Sequence, residues 1–120
     1  MKRVLVVEDT EDNRKIIRDL LTSAGYEMIE AVNGEEGVAM AAEHRPDLIL
    51  MDIQLPVLDG YEATRRIKAN PALRHIPVIA VTSYALSGDE DKTRAAGCDA
   101  YVAKPFSPRL LLAKVRGFLE

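Results

Sequence analysis

Four apolar runs in this chain each end in a polar group able to do chemistry. Glu8-Asp9 follows Val4–Val7, Asp52 follows Leu48–Met51, Thr82-Ser83 follows Val78–Val81, and Lys104-Pro105 follows Ala100–Ala103. Asp52 is the sharpest of these. A buried strand cannot cheaply hold an unpaired charge in its interior, but at its C-terminal tip a carboxylate can face a crevice, where open α/β sheets bind their ligands. Glu8, Asp9 and Asp52 would bring three carboxylates together, and like charges at short range raise one another's pKa. A divalent cation resolves that repulsion, and Mg²⁺ suits one or two carboxylates with waters and phosphate oxygens. Lys104 is a point cation matched to a phosphoryl group or to Asp52 itself, and Thr82 offers a hydroxyl donor. Together they suit phosphoryl transfer onto a carboxylate, giving an aspartyl phosphate.

Each residue alone has a plainer reading. Glu8-Asp9 could be acids at the positive end of a helix dipole, Lys104 a solvated lysine, Thr82 a cap, and Tyr101 a half-buried strand aromatic. What favours the joint reading is that all four sites fall at the same edge of one predicted sheet.

The elements that must position them alternate strictly. Val4–Val7 reads as a strand. Thr10 offers an N-cap to a helix whose apolar face is Ile16, Ile17, Leu20, Leu21 and Ala24, and Gly25 fits the residue beyond its end. Glu27–Ala31 is a weaker strand; Asn33-Gly34 signals a cap or turn before the stripe Val38, Ala41, Ala42, and Pro46 closes that unit. After the strand Leu48–Met51, Asp59 and Glu62 have capping-box spacing and open a helix to about Ala69, broken by Asn70-Pro71. Val78–Val81 is the fourth strand. Ser87 and Glu90 repeat the box, and Gly97 marks the next helix end. Ala100–Ala103 is the fifth strand; Ser107-Pro108 then starts a last helix, to near Leu119, with the stripe Leu111, Leu112, Val115, Phe118, Leu119.

Such βα alternation predicts a doubly wound α/β fold, a five-stranded parallel sheet with helices on both faces. With strands ordered 2-1-3-4-5, the crevice lies between the first and third strands. The polar ends then gather on one side. The second strand, ending in uncharged Ala31-Val32-Asn33, becomes an edge.

Composition narrows the function classes. The 120 residues are 48% hydrophobic, the size and make-up of one domain spanning 1–120. A net charge of −3 leaves no basic footprint for nucleic acid. No apolar run approaches a membrane span, and the run after Met1-Lys2-Arg3 is too short for a signal peptide, so a cytoplasmic location is expected. Cys98 is the only cysteine, which excludes an internal disulfide and reads as a small packed hydrophobe.

The markers Val6-Val7-Glu8-Asp9, Asp47-Leu48-Ile49-Leu50-Met51-Asp52-Ile53-Gln54-Leu55-Pro56, Asp59-Gly60, Ile79-Ala80-Val81-Thr82-Ser83, Ala96-Gly97-Cys98-Asp99-Ala100-Tyr101 and Lys104-Pro105-Phe106 span the whole chain. In them the chain resembles the receiver domain of bacterial two-component response regulators, of the stand-alone, single-domain type. The resemblance implies a flavodoxin-like (βα)5 fold. It implies that Asp52 accepts phosphate from a histidine kinase or histidine phosphotransfer protein, and that Glu8, Asp9, Asp52 and the backbone carbonyl of Gln54 hold Mg²⁺ (or Mn²⁺). Thr82 and Lys104 would contact the phosphoryl group. Tyr101 would be the aromatic switch, altering the face of the fourth helix, fifth strand and fifth helix that a downstream protein reads. Gln54 and Tyr84 match positions that tune phosphate lifetime. Asn13, Arg14, Ile17, Pro105 and Phe106 match the kinase-docking surface. The Lys104-Pro105 bond is expected to be cis, as X-Pro bonds readily allow.

Three other readings stand beside this one. A receiver cut from a hybrid kinase would share every marker; the Met start and the chain end one helix beyond Lys104-Pro105 lean toward a complete protein. A small aspartyl-phosphate hydrolase would want a second acid two positions after Asp52, where Gln54 stands. A flavodoxin-type electron carrier would want a phosphate-cradling loop after the first strand, where Glu8-Asp9-Thr10-Glu11-Asp12 would repel phosphate.

Overall fold

A computed structural model describes residues 1–83 and 89–120. Tyr84 and the Ser87 half of the fourth helix's expected capping box lie outside the described residues. In chain order the elements are β1 (Arg3–Val7), α1 (Glu11–Ser23), β2 (Glu27–Ala31), α2 (Gly34–His44), β3 (Leu48–Asp52), α3 (Gly60–Ala69), β4 (Val78–Thr82), α4 (Asp89–Ala96), β5 (Ala100–Ala103) and α5 (Pro108–Leu119). The strands form one parallel sheet in the order β2-β1-β3-β4-β5, as the alternation predicts. No helix among the described residues is long and apolar enough to cross a membrane.

Strand alternation divides the core in two. Val4, Val6, Leu48 and Leu50 face α1 and α5, packing on Ile17, Leu21, Leu111 and Val115. Leu5, Val7, Ile49 and Met51 face the other way, onto Ala41, Ala63 and Ile67. Every residue of β3 and β4 is buried, which explains their unbroken apolar runs. Continuing the same alternation places Glu8 and Asp52 on the α1/α5 side, so two acids 44 positions apart in sequence emerge together from adjacent strands.

The local signals act largely as expected, with instructive exceptions. Asn33 and Asp59 accept from the backbone N–H groups of Glu36 (2.7 Å) and Glu62 (2.9 Å). Glu62 does not return the bond; its carboxylate takes Arg65 and Arg66 instead. Ser107 caps α5, with Pro108 in its first turn. Gly25 and Gly97 carry φ of 87° and 107° beyond the ends of α1 and α4. Thr10 occupies the N-cap position but makes no side-chain cap; its own N–H donates to Glu8 Oε2 at 3.0 Å. Three stripe residues face outward: Ile16, Ala42 and Phe118 are exposed, because each lies beside the narrow arc of its helix that meets the sheet. Cys98 is half-buried beside the second core, with Sγ 3.8 Å from Thr64 Oγ1.

The loop from β3 to α3 is seated tightly. Gly60 donates its N–H to Ile53 O at 3.0 Å, and a Cβ there would lie 2.2 Å from the Asp52 carbonyl oxygen. Within the loop, Leu58 N–H reaches back to Pro56 O at 2.7 Å around Val57, whose φ of 69° is a strained conformation for a β-branched residue. Substituting Gly60→Ala should lower the free energy of urea unfolding by about 2 kcal/mol or more, as overpacking against backbone does. Gly117→Ala, in α5 with open space around it, should raise it by roughly 0.5–1 kcal/mol.

Candidate functional site

β1 delivers Glu8 and Asp9, β3 delivers Asp52, β4 delivers Thr82, and β5 delivers Lys104 just past its last residue. The Lys104 N–H donates to Thr82 O at 2.7 Å, continuing the β4–β5 ladder, and the Lys104-Pro105 bond is cis. From there the Lys104 ammonium donates to Glu8 Oε1 (2.8 Å) and Asp52 Oδ2 (2.9 Å). Both carboxylates are almost wholly buried, 2% and 3% exposed. Asp52 Oδ1 accepts the Gln54 N–H at 3.0 Å. Glu8 also accepts from Thr10 N–H and, at 3.4 Å, from Asn13 Nδ2. Asp9 is exposed, and carboxylate oxygens of Glu8, Asp9 and Asp52 lie within 4.8 Å of one another. Among the described residues no buried side-chain N or O lacks a partner.

Charge is unbalanced here: three carboxylates face one ammonium, so the cluster carries about −2 when fully ionised. Burial pushes the Asp52 carboxyl up to about 6; the Lys104 hydrogen bond opposes this and the Glu8 charge adds to it. Burial and then Glu8 raise Asp9 as well. Glu8 goes the other way. Burial works against its ionised form, but Lys104 and the Thr10 N–H outweigh that and hold it below the usual carboxylate range. For Lys104, burial is outweighed by the two carboxylates, which lift its pKa. Hard, clustered carboxylate oxygens with surplus negative charge are a donor set that fits a hard divalent cation.

The sequence-predicted residues mostly converge. Glu8, Asp9, Asp52, Gln54, Thr82 and Lys104 meet at one end of the sheet. Thr82 is fully buried beside the Lys104 backbone. Tyr101 stands apart, half-buried on β5, its hydroxyl 3.5 Å from Glu90 Oε2 on α4. Two docking residues need correction. Ile17 is only 2% exposed, packed in the α1/α5 core, and offers no surface. Arg14 turns inward, its side chain 11% exposed and its guanidinium on the Glu8 carbonyl at 2.7 Å. The surface residue sequence reasoning missed is Ile16, 48% exposed. It lines an open groove of about 560 Å³ with Asn13, Lys104, Pro105, Phe106 and Pro108. A helix turns 100° per residue, so Ile16 and Ile17 cannot share one narrow face; only the packing shows which points in.

A five-stranded parallel sheet with an acidic pocket and a lysine at its β1/β3 switch point defines a class, and comparison with known proteins agrees. The response regulator receiver domain family matches residues 4–116. The chain is 51% identical to the polar-differentiation response regulator DivK of Brucella anthropi over 118 residues, covering 98% of this chain and 96% of that one. With DivK of Brucella ovis the identity is 49% over the same coverage. Among solved structures, the receiver domain of a sensor histidine kinase from Pseudomonas aeruginosa PAO1, with magnesium in its active-site cleft, superposes with a TM-score of 0.91 at 41% identity, covering 98% of this chain and 96% of that one. The chemotaxis protein CheY4 of Vibrio cholerae gives 0.92 at 29% identity, covering 98% of each chain. The chain belongs to the response regulator receiver domain family. Within it, the chain is DivK-like, a receiver of two-component signalling.

The raised Asp52 pKa has a consequence for stability. Its carboxyl holds a proton more tightly folded, at about 6, than unfolded, near the ordinary 3.8 of an aspartate. That linkage stabilises the fold below about pH 4 and is lost as pH rises through 6. Without divalent metal, Asp52→Asn should therefore raise the urea unfolding free energy by about 1–2 kcal/mol at pH 7.5, and by little at pH 4.5. An equal change at both values would contradict the assignment.

Proposed function

We propose that Asp52 is the phosphoryl acceptor of this receiver, taking its group from a phosphohistidine on a histidine kinase or phosphotransfer protein. The carrying observation is Asp52's buried carboxylate at the tip of β3, 2.9 Å from the Lys104 ammonium and clustered with Glu8 and Asp9. In the transfer an Asp52 oxygen bonds to phosphorus, the P–N bond breaks, and the imidazole leaves with its electron pair and takes a proton. Mg²⁺ (or Mn²⁺) held by Glu8, Asp9, Asp52 and the Gln54 carbonyl would neutralise the phosphoryl oxygens. The magnesium in the Pseudomonas receiver's cleft supports this.

Lys104 orients Asp52 before transfer and can then donate to a phosphoryl oxygen as its ion-pair partner. Thr82 supplies its hydroxyl from the neighbouring strand. Drawing Thr82 toward the phosphoryl group would shift the β4–β5 pair, in which Thr82 lies opposite Ala103 and Ala80 opposite Tyr101. Tyr101 and the α4–β5–α5 face would then present a different surface to a downstream protein, a local charge event biasing a two-state element. The groove beside Phe106 and Ile16 is the docking surface for the phosphodonor.

The protein thus acts as a switch that catalyses its own phosphorylation and dephosphorylation rather than as a turnover enzyme, and it works in the cytoplasm. Gln54 and Tyr84 set the phosphate lifetime. A receiver belonging to a hybrid kinase would carry the same site, and the Pseudomonas neighbour is the receiver domain of a sensor histidine kinase. A hydrolase is disfavoured, since position 54 offers an amide. Incubation with a small acyl-phosphate donor and Mg²⁺ should add one phosphoryl mass to the wild type and none to Asp52→Asn. Equal labelling of the variant would overturn the assignment. Lys104→Ala should retain the acceptor but slow labelling by about 10²-fold, the effect of losing one charge-stabilising donor.

A further inference from the structure

β2 is the strand with no charge at its tip, yet it is wired to the site from one position earlier. Glu30, opposite Val6 in the β1–β2 register, accepts from Arg14 Nε at 3.2 Å. Arg14 Nη2 donates to Glu11 at 2.5 Å, and Nη1 donates to the backbone carbonyl of Glu8 at 2.7 Å. That carbonyl belongs to the Glu8–Asp9 peptide unit, a rigid plane that also contains the Asp9 Cα. Holding its oxygen fixes the direction in which Asp9 leaves the strand. The residue's other side is fixed as well, since the Glu8 N–H donates to Ala31 O at 3.0 Å.

Resting on the metal reading above, we infer that Arg14, anchored by Glu30, is a positioning residue that sets the Glu8–Asp9 turn for a divalent cation. Arg18 provides a built-in control. It pairs with the same two acids, Glu30 (2.6 Å) and Glu11 (3.5 Å), and makes no hydrogen bond or ion pair to Glu8 among the described residues. Coulomb's law alone gives the opposite expectation: deleting a cation near a cation site should tighten metal binding. Loss of affinity on removing Arg14 therefore reports geometry, not charge.

The test is calorimetric titration of the full chain with Mg²⁺ at pH 7.5, alongside urea unfolding. Arg14→Met should weaken Mg²⁺ about tenfold, within the range seen when an outer-shell partner of a metal site is lost. Arg14→Lys, which keeps the positive charge but loses the guanidinium fork that spans Glu30 and the Glu8 carbonyl, should weaken it in the same direction, and this milder variant carries the test if Arg14→Met does not fold. Arg18→Met should bind as the wild type or slightly more tightly. If Arg14→Met and Arg14→Lys bind Mg²⁺ like the wild type while their urea midpoints fall, Arg14 only staples α1 to β2 and the inference is wrong. A wild type that binds no Mg²⁺, or an Asp9→Asn variant that binds as well as the wild type, removes the metal reading and this inference with it.

Discussion

Two buried carboxylates share one ammonium at the end of this sheet, and the arrangement is satisfied only in part. Lys104 lies within 2.9 Å of both Glu8 and Asp52, yet it supplies one positive charge to an acidic cluster of three. A buried charge left uncompensated costs several kcal/mol. The imbalance is expressed chemically: Asp52 holds its proton to about pH 6, while Glu8, better hydrogen-bonded, stays ionised below its ordinary range. Such a site is poised for something positive, then for a group that Lys104 can follow.

The rest of the fold exists, in effect, to maintain that tension. Parallel pairing puts all the strand tips at one end, so four segments distant in sequence meet without a long loop. Val4, Val6, Leu48 and Leu50 bury the face continued by Glu8 and Asp52. Each such side chain contributes about 1.5–3 kcal/mol of burial, which offsets the unfavourable electrostatics at their tips. The close seat of Gly60 under the Asp52 carbonyl and the Arg14 contact on the Glu8 carbonyl fix the backbone on both sides of the pocket.

Strand order and the gathering of polar groups at one sheet end were legible in the residues, because four of the five strands are short apolar runs ended by a polar residue and the remaining one, β2, is not. The residue types at those ends already implied mutual repulsion and a cation. What could not be read was direction around a helix. Ile16 and Ile17 are adjacent isoleucines, and only packing on Val4 and Leu50 shows that Ile17 points in while Ile16 lines the groove. The family resemblance places Arg14 on the docking surface; its inward turn depends on Glu30, a charge in a weak strand 16 residues away. Thr10 showed the same limit. It sits where a cap belongs, but its side chain makes no cap bond and it is its backbone N–H, given to the Glu8 carboxylate, that serves the site.

The central claim is that the Asp52 carboxylate itself becomes the acyl phosphate. Borohydride reduces an aspartyl phosphate to homoserine and leaves free carboxylates unchanged. After phosphorylation in Mg²⁺, reduction and digestion, tandem mass spectrometry of the peptide spanning Asp47–Leu58 should find homoserine at position 52, and only in the phosphorylated sample. Homoserine at Asp9 or Asp47, or a labelled protein whose position 52 remains aspartate, would contradict the account.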